Sequence, residues 1–101
     1  MTSYQLTTEV QHSLTKIESY SLETFGKRQT GYYLHQLSSR MEWLAHNQQL
    51  GKSRPELSKT VPLLSYPQGS HIIYFQSLGS KQIVIIDVLH KSMEPELYLQ
   101  D

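Results

Sequence analysis

Tyr66-Pro67-Gln68-Gly69-Ser70-His71-Ile72-Ile73-Tyr74-Phe75-Gln76, followed after a short gap by Gln82-Ile83-Val84-Ile85-Ile86-Asp87-Val88-Leu89, decides the fold. Both runs are rich in β-branched and aromatic residues, and Leu78-Gly79-Ser80-Lys81 between them reads as a tight turn. Pro67-Gln68-Gly69 reads as a second turn, which makes Val61 to Tyr66 a further strand. Three consecutive strands, Val61 to Tyr66, Ser70 to Gln76 and Gln82 to Leu89, are therefore expected as an antiparallel meander. Ile83-Val84-Ile85-Ile86 is apolar on both faces, as a strand covered on each side requires.

Upstream the period changes from two to about three and a half. Ser3 to Thr7 alternates, with Tyr4 and Leu6 on one side, and predicts a short first strand. Thr8 and Gln11 have capping-box spacing and predict a helix start there. Val10, Leu14, Ile17, Tyr20 and Phe25 then recur at helical spacing until Gly26, which can end a helix. Beyond it Tyr33, Leu37, Met41 and Leu44, flanked by Leu34 and Trp43, predict a longer second helix. So short a connection predicts an antiparallel helical hairpin. Gly51 to Lys59, interrupted by Pro55, reads as a polar loop, and Glu94 to Leu99 as either one short helical turn or an extended tail. The expected architecture is α+β: an N-terminal strand, a helical hairpin, then a three-stranded meander, with the helices on one face of an antiparallel sheet and residues 1–101 forming one domain.

Composition narrows the function. The chain has 101 residues, too few for a second sizeable core. Nine Lys and Arg balance nine Asp and Glu, which argues against a protein whose affinity comes from gripping phosphates. Local patches remain, because Lys52, Arg54 and Lys59 cluster around one loop while Glu94, Glu96 and Asp101 make the end acidic. Cysteine is absent, which excludes disulfides, thiolate metal sites and cysteine catalysis. The longest apolar run is four residues, and no basic-then-apolar leader pattern opens the chain; a cytoplasmic protein is expected, with no membrane association.

The usual enzyme signatures are missing. There is no Gly-rich phosphate loop, HExxH, GxSxG or paired-carboxylate motif, and no histidine has metal-ligand spacing. No catalytic residue, metal or cofactor is assigned. His12, His35 and His46 fall on helix surfaces, whereas His71 and His90 sit at strand ends, where an imidazole can exchange protons near neutral pH. Metal-free RNA cleavage would also need cations for the charged phosphorane. The arginines, Arg28, Arg40 and Arg54, lie on the helices or the polar loop, and the meander offers only Lys81 and Lys91. Tyr32, Tyr33 and Trp43 suit core packing or a protein interface, and a helical hairpin over a sheet offers a groove for a partner helix.

The segment from Tyr66 to Gln76, with Gln82-Ile83-Val84 and Val88-Leu89-His90-Lys91-Ser92-Met93-Glu94, closely resembles the C-terminal half of ParE toxins, a branch of the RelE/ParE superfamily. Leu6-Thr7, Phe25-Gly26-Lys27-Arg28-Gln29, Leu44-Ala45 and Gly51-Lys52-Ser53 match the family layout more loosely, so the resemblance spans nearly the whole chain. It implies a non-enzymatic toxin that stabilises the cleaved-DNA complex of DNA gyrase and is neutralised by a ParD-like antitoxin. No sequence-specific nucleic-acid binding by the toxin alone is expected. His71, His90, Lys91 and Met93 are the target-binding candidates; Tyr33, Leu37, Met41 and Trp43 are the antitoxin-binding candidates. Two alternatives stand beside this: a RelE-like ribosome-dependent ribonuclease, or a toxin fold that only binds its antitoxin. The chain departs from the family where a Gly-x-Arg usually precedes the Pro-x-Gly-Ser-His segment: it has Pro62-Leu63-Leu64. Leucine there either removes a contact to gyrase or substitutes for packing at the sheet edge.

Overall fold

The computed structural model describes residues 3–99. Five strands form one sheet in the order β1 (Tyr4–Leu6), β5 (Gln82–His90), β4 (His71–Gly79), β3 (Leu64–Gln68), β2 (Lys52–Ser53). The meander β3-β4-β5 is antiparallel, as its turn residues require. Two short strands extend it, so the sheet is five-stranded and mixed rather than a three-stranded antiparallel one. β1 pairs in parallel with the first half of β5, from Tyr4 opposite Ile83 to Leu6 opposite Ile85, and β2 pairs with Leu64 and Ser65 inside what reads as a polar loop. The first strand falls where its alternation places it, but its parallel partner, about eighty residues away, is not visible locally, and neither is β2, because a two-residue strand has no period.

Helices α1 (Thr8–Phe25) and α2 (Lys27–His46) meet at a single residue. Gly26 has φ 88° and ψ 174°, a region essentially reserved for glycine. Its N–H closes α1 on the Leu22 carbonyl, and its carbonyl accepts from Thr30 N–H in the first turn of α2. One residue thus ends a helix and starts the next. The helices run antiparallel, with Ser21 hydrogen-bonded to Thr30 near the tip. At the other end of α1, Thr7 rather than Thr8 is the cap. The Thr7 hydroxyl oxygen accepts from Val10 N–H at 3.2 Å while its O–H donates to the Ile86 carbonyl at 3.1 Å. A threonine that satisfies both a helix start and a strand carbonyl outcompetes its neighbour, which can do only the first.

The hairpin covers one face of the sheet. Val10, Leu37, Met41, Leu44 and Ala45 pack against Ile73, Phe75, Ile83, Ile85 and Val88. The opposite face has its own smaller core, in which Tyr74 and Leu89 are covered by Leu57 and Leu63 from the long connection and by Leu99 from the tail. The tail, left open between two forms by sequence, makes one 3-10 turn at Pro95–Leu97. The acidic Asp101 lies outside the described residues. Strand ends also shift: Pro67 and Gln68 belong to β3, and the turn is the two-residue Gly69-Ser70, with Gly69 at φ 59°. Among the described residues, no helix is long and apolar enough to cross a membrane.

A wedge-shaped groove under the helical tip

Residues near the tip of the hairpin and the far end of β5 line one groove of about 830 Å³. Ile17, Tyr20 and Phe25 of α1, Tyr32 and Tyr33 of α2, and Met93 with Tyr98 of the tail form its apolar walls. Tyr20, Phe25, Tyr32 and Tyr98 are all more than half exposed. Exposed aromatic surface around a concavity is the kind of surface that interaction sites present.

Polar groups occupy the floor. His71 and His90 are cross-strand partners, their rings edge to face at 5.4 Å. The Tyr33 hydroxyl lies 2.9 Å from the Gln68 carbonyl and 2.6 Å from His71 Nδ1. A carbonyl only accepts, so the arrangement that satisfies all three groups has Tyr33 O–H donating to Gln68 and His71 Nδ1–H donating to Tyr33. His71 Nε2 then carries the lone pair. His90 is the opposite tautomer when neutral, because its Nδ1 accepts from Ser92 N–H at 3.1 Å. Burial, with a smaller contribution from His90, pushes the His71 pKa from the ordinary 6.5 to about 4, so His71 is uncharged at neutral pH. Burial likewise raises the Tyr33 hydroxyl. Gly69 makes room for this contact: a Cβ there would stand 2.6 Å from Tyr33 Cε1.

Asp87 completes the floor. A bulge in β5 shifts the register, so that Tyr74 pairs with Asp87 but Phe75 with Ile85. The break in alternation lets the Asp87 carboxylate reach Ser13 of α1 at 2.5 Å, although its neighbour Val88 packs in the helix-side core. Asp87 gives no motif in the sequence, and only the bulge and α1 place it here.

Of the target-binding candidates, His71, His90 and Met93 line the groove, and Lys91 is exposed in the turn beside it, its N–H bound to the Ser70 carbonyl. The antitoxin-binding candidates divide. Tyr33 is a groove wall, whereas Leu37 and Met41 are 1% and 2% exposed and support the wall from the core. Trp43 stands on the β3 flank of α2, where the Arg40 guanidinium lies 4.6 Å from its ring and 5.2 Å from that of Tyr66, with Nε bound to Gln68. Leu64 packs against the helix-side core opposite Phe75, so in this chain that position is a packing position.

The cations do not gather. Arg54 sits on the opposite face, bound to Glu56 at 2.7 Å and to Ser65, and among the described residues Lys16 is the single Lys or Arg that lines the groove. Two imidazoles, that of His71 neutral, a tyrosine and a carboxylate can exchange hydrogen bonds with a partner, but they offer little to stabilise a phosphorane. Among the described residues, no cluster of three His, Cys, Asp or Glu side chains could hold a metal ion.

Comparison with known proteins gives a consistent picture. The family described as ParE toxin of type II toxin-antitoxin system, parDE, matches residues 4–95. A solved structure described as the chromosomal ParDE TA system from P. aeruginosa superposes with a TM-score of 0.68 at 18% identity, covering 89% of this chain and 96% of that one. At that identity the likeness speaks for the fold. No curated protein sequence matches.

Proposed function

The chain belongs to the ParE toxin family of type II toxin-antitoxin systems, and from that membership we propose that it poisons DNA gyrase and is silenced by a ParD-like antitoxin that fills the groove under the helical tip. The observation that carries this reading is the shared lining: the target-binding candidates His71, His90 and Met93 and the antitoxin-binding candidate Tyr33 face one cavity. A partner lying there would cover the surface offered to the target, so neutralisation would be occlusion. A largely disordered antitoxin segment would fold on binding and bury the exposed Tyr20, Phe25 and Tyr32, and Trp43 would extend the contact along α2.

Poisoning in this reading needs no reaction by the toxin. A surface that binds the cleaved-DNA form of gyrase better than its other forms shifts the enzyme toward that form. His71, His90, Lys91 and Met93 are the nominated contacts. The toxin would act in the bacterial cytoplasm, where gyrase works. One observation favours a second reading, a ribosome-dependent ribonuclease: His71 is held neutral against Tyr33, as a general base would be. The scarcity of cations in the groove weighs against it.

A supercoiling assay with purified gyrase tests the proposal. Cleaved DNA should accumulate with toxin dose and disappear when antitoxin is added first. Unchanged supercoiling with no cleaved DNA would reject the gyrase reading. Blocked protein synthesis in an extract would then support the ribonuclease, and silence in both assays a fold that only binds its antitoxin.

A further inference from the structure

Resting on the antitoxin reading above, we propose that Asp87 is the polar anchor of the groove, its open carboxylate oxygen receiving an arginine or lysine side chain from the antitoxin segment. Asp87 is 7% exposed. Its Oδ1 accepts from the Ser13 hydroxyl at 2.5 Å and from Val88 N–H at 2.8 Å. No described residue bonds Oδ2, yet no buried side-chain oxygen among the described residues lacks a partner. Oδ2 is therefore not fully buried, and Asp87 is one of the residues that line the groove.

That exposure dictates the occupant. An apolar segment pressed over Oδ2 would strip its water and leave a buried charge uncompensated, which costs more than the apolar contact gains. A guanidinium or ammonium at that point restores the pairing and adds a charge-assisted hydrogen bond. The groove does not supply its own cation: Lys16, one turn along α1 from Ser13, forms no ion pair with Asp87, and His71 is neutral with its Nδ1 engaged by Tyr33. A floor with one carboxylate and no cluster of cations gives phosphates little to pair with, so the ligand is peptide rather than nucleic acid.

The same carboxylate selects a helix over an added strand. β1 pairs only with Ile83 to Ile85, so among the described residues the second half of β5 has an edge without a strand neighbour. Its Val88 N–H, which an incoming strand would need, is already taken by Asp87 itself. The occupant is thus an amphipathic helix that fills the wedge with apolar side chains and turns one basic residue toward Asp87.

The test is a double-mutant cycle on the full-length toxin and its antitoxin. Each Lys and Arg of the antitoxin is changed to Gln, and affinity is measured against wild-type toxin and against Asp87→Asn. One antitoxin change should weaken binding to wild-type toxin by at least about tenfold and have little further effect on Asp87→Asn. Tyr20→Ala, on the α1 wall, reads the groove itself. If it weakens binding while no basic residue couples to position 87, the anchor is overturned and the groove reading stands. If Tyr20→Ala leaves affinity unchanged, the groove reading falls and the anchor with it. The antitoxin changes probe the pair against unmodified toxin, so the anchor stays falsifiable even where Asp87→Asn folds poorly: an antitoxin in which no basic residue matters for binding to wild-type toxin overturns it.

Discussion

His71 shows how much one side chain depends on its surroundings. In the unfolded chain it takes a proton near pH 6.5, whereas in the fold it resists until about pH 4. Above pH 6.5 both states are neutral and this residue adds no pH dependence. Between the two values only the unfolded state binds the proton, so stability falls as pH falls, and below about 4 the loss is complete. His71 is part-exposed, so screening trims the effect to on the order of 1–2 kcal/mol. Thermal melts at pH 7.5 and pH 5 should show a drop in Tm that His71→Gln largely removes. An equal drop in the variant would assign the slope to other groups.

At the scale of elements, the fold hangs on its junctions. Gly26 joins two helices with no loop, so the hairpin is held by that backbone and by the Ser21-Thr30 bond beneath the tip. Thr7 joins α1 to β5 through its bonds to Val10 and Ile86. Thr7→Ala should therefore cost about 1–2 kcal/mol in chemical denaturation, the usual worth of a capping threonine. Thr8→Ala, at an exposed first helical position, should change stability by less than about 0.5 kcal/mol. The reverse ranking would return the cap to Thr8. The bulge in β5 is a junction of another kind, since it lets the consecutive Asp87 and Val88 both face the helices.

For the whole molecule, two cores share one sheet, and the tail links them to the groove. Leu99 is buried against the Tyr74-Leu89 side, while Tyr98 and Met93 line the wedge. The tail thus seals the smaller core and shapes the binding surface at once. Leu99→Ala should cost about 1–3 kcal/mol and, through the loosened wall, weaken antitoxin binding. Leu97→Ala, whose parent side chain is 67% exposed, should do neither. A Tm that falls with unchanged antitoxin affinity would confine the tail to a stabilising role.

The sequence by itself determined the meander, the hairpin and the split between them, because each is encoded by local periodicity and by a few turn residues such as Gly26 and Gly69. It also singled out His71, His90 and Met93, and the short motifs around them are enough to resemble ParE toxins. Only the tertiary structure decided that β1 pairs with β5 and that β2 exists, because pairing across a long stretch of chain leaves no mark in either partner and a two-residue strand has no period. It also decided which apolar helix residues are surface. Leu37, Met41 and Tyr33 share one stripe, yet the sheet buries the first two while Tyr33, nearer the tip, lines the groove. Asp87 was illegible for the same reason. A lone acid in an apolar strand has no signature until α1 brings Ser13 to it and the groove forms beside it.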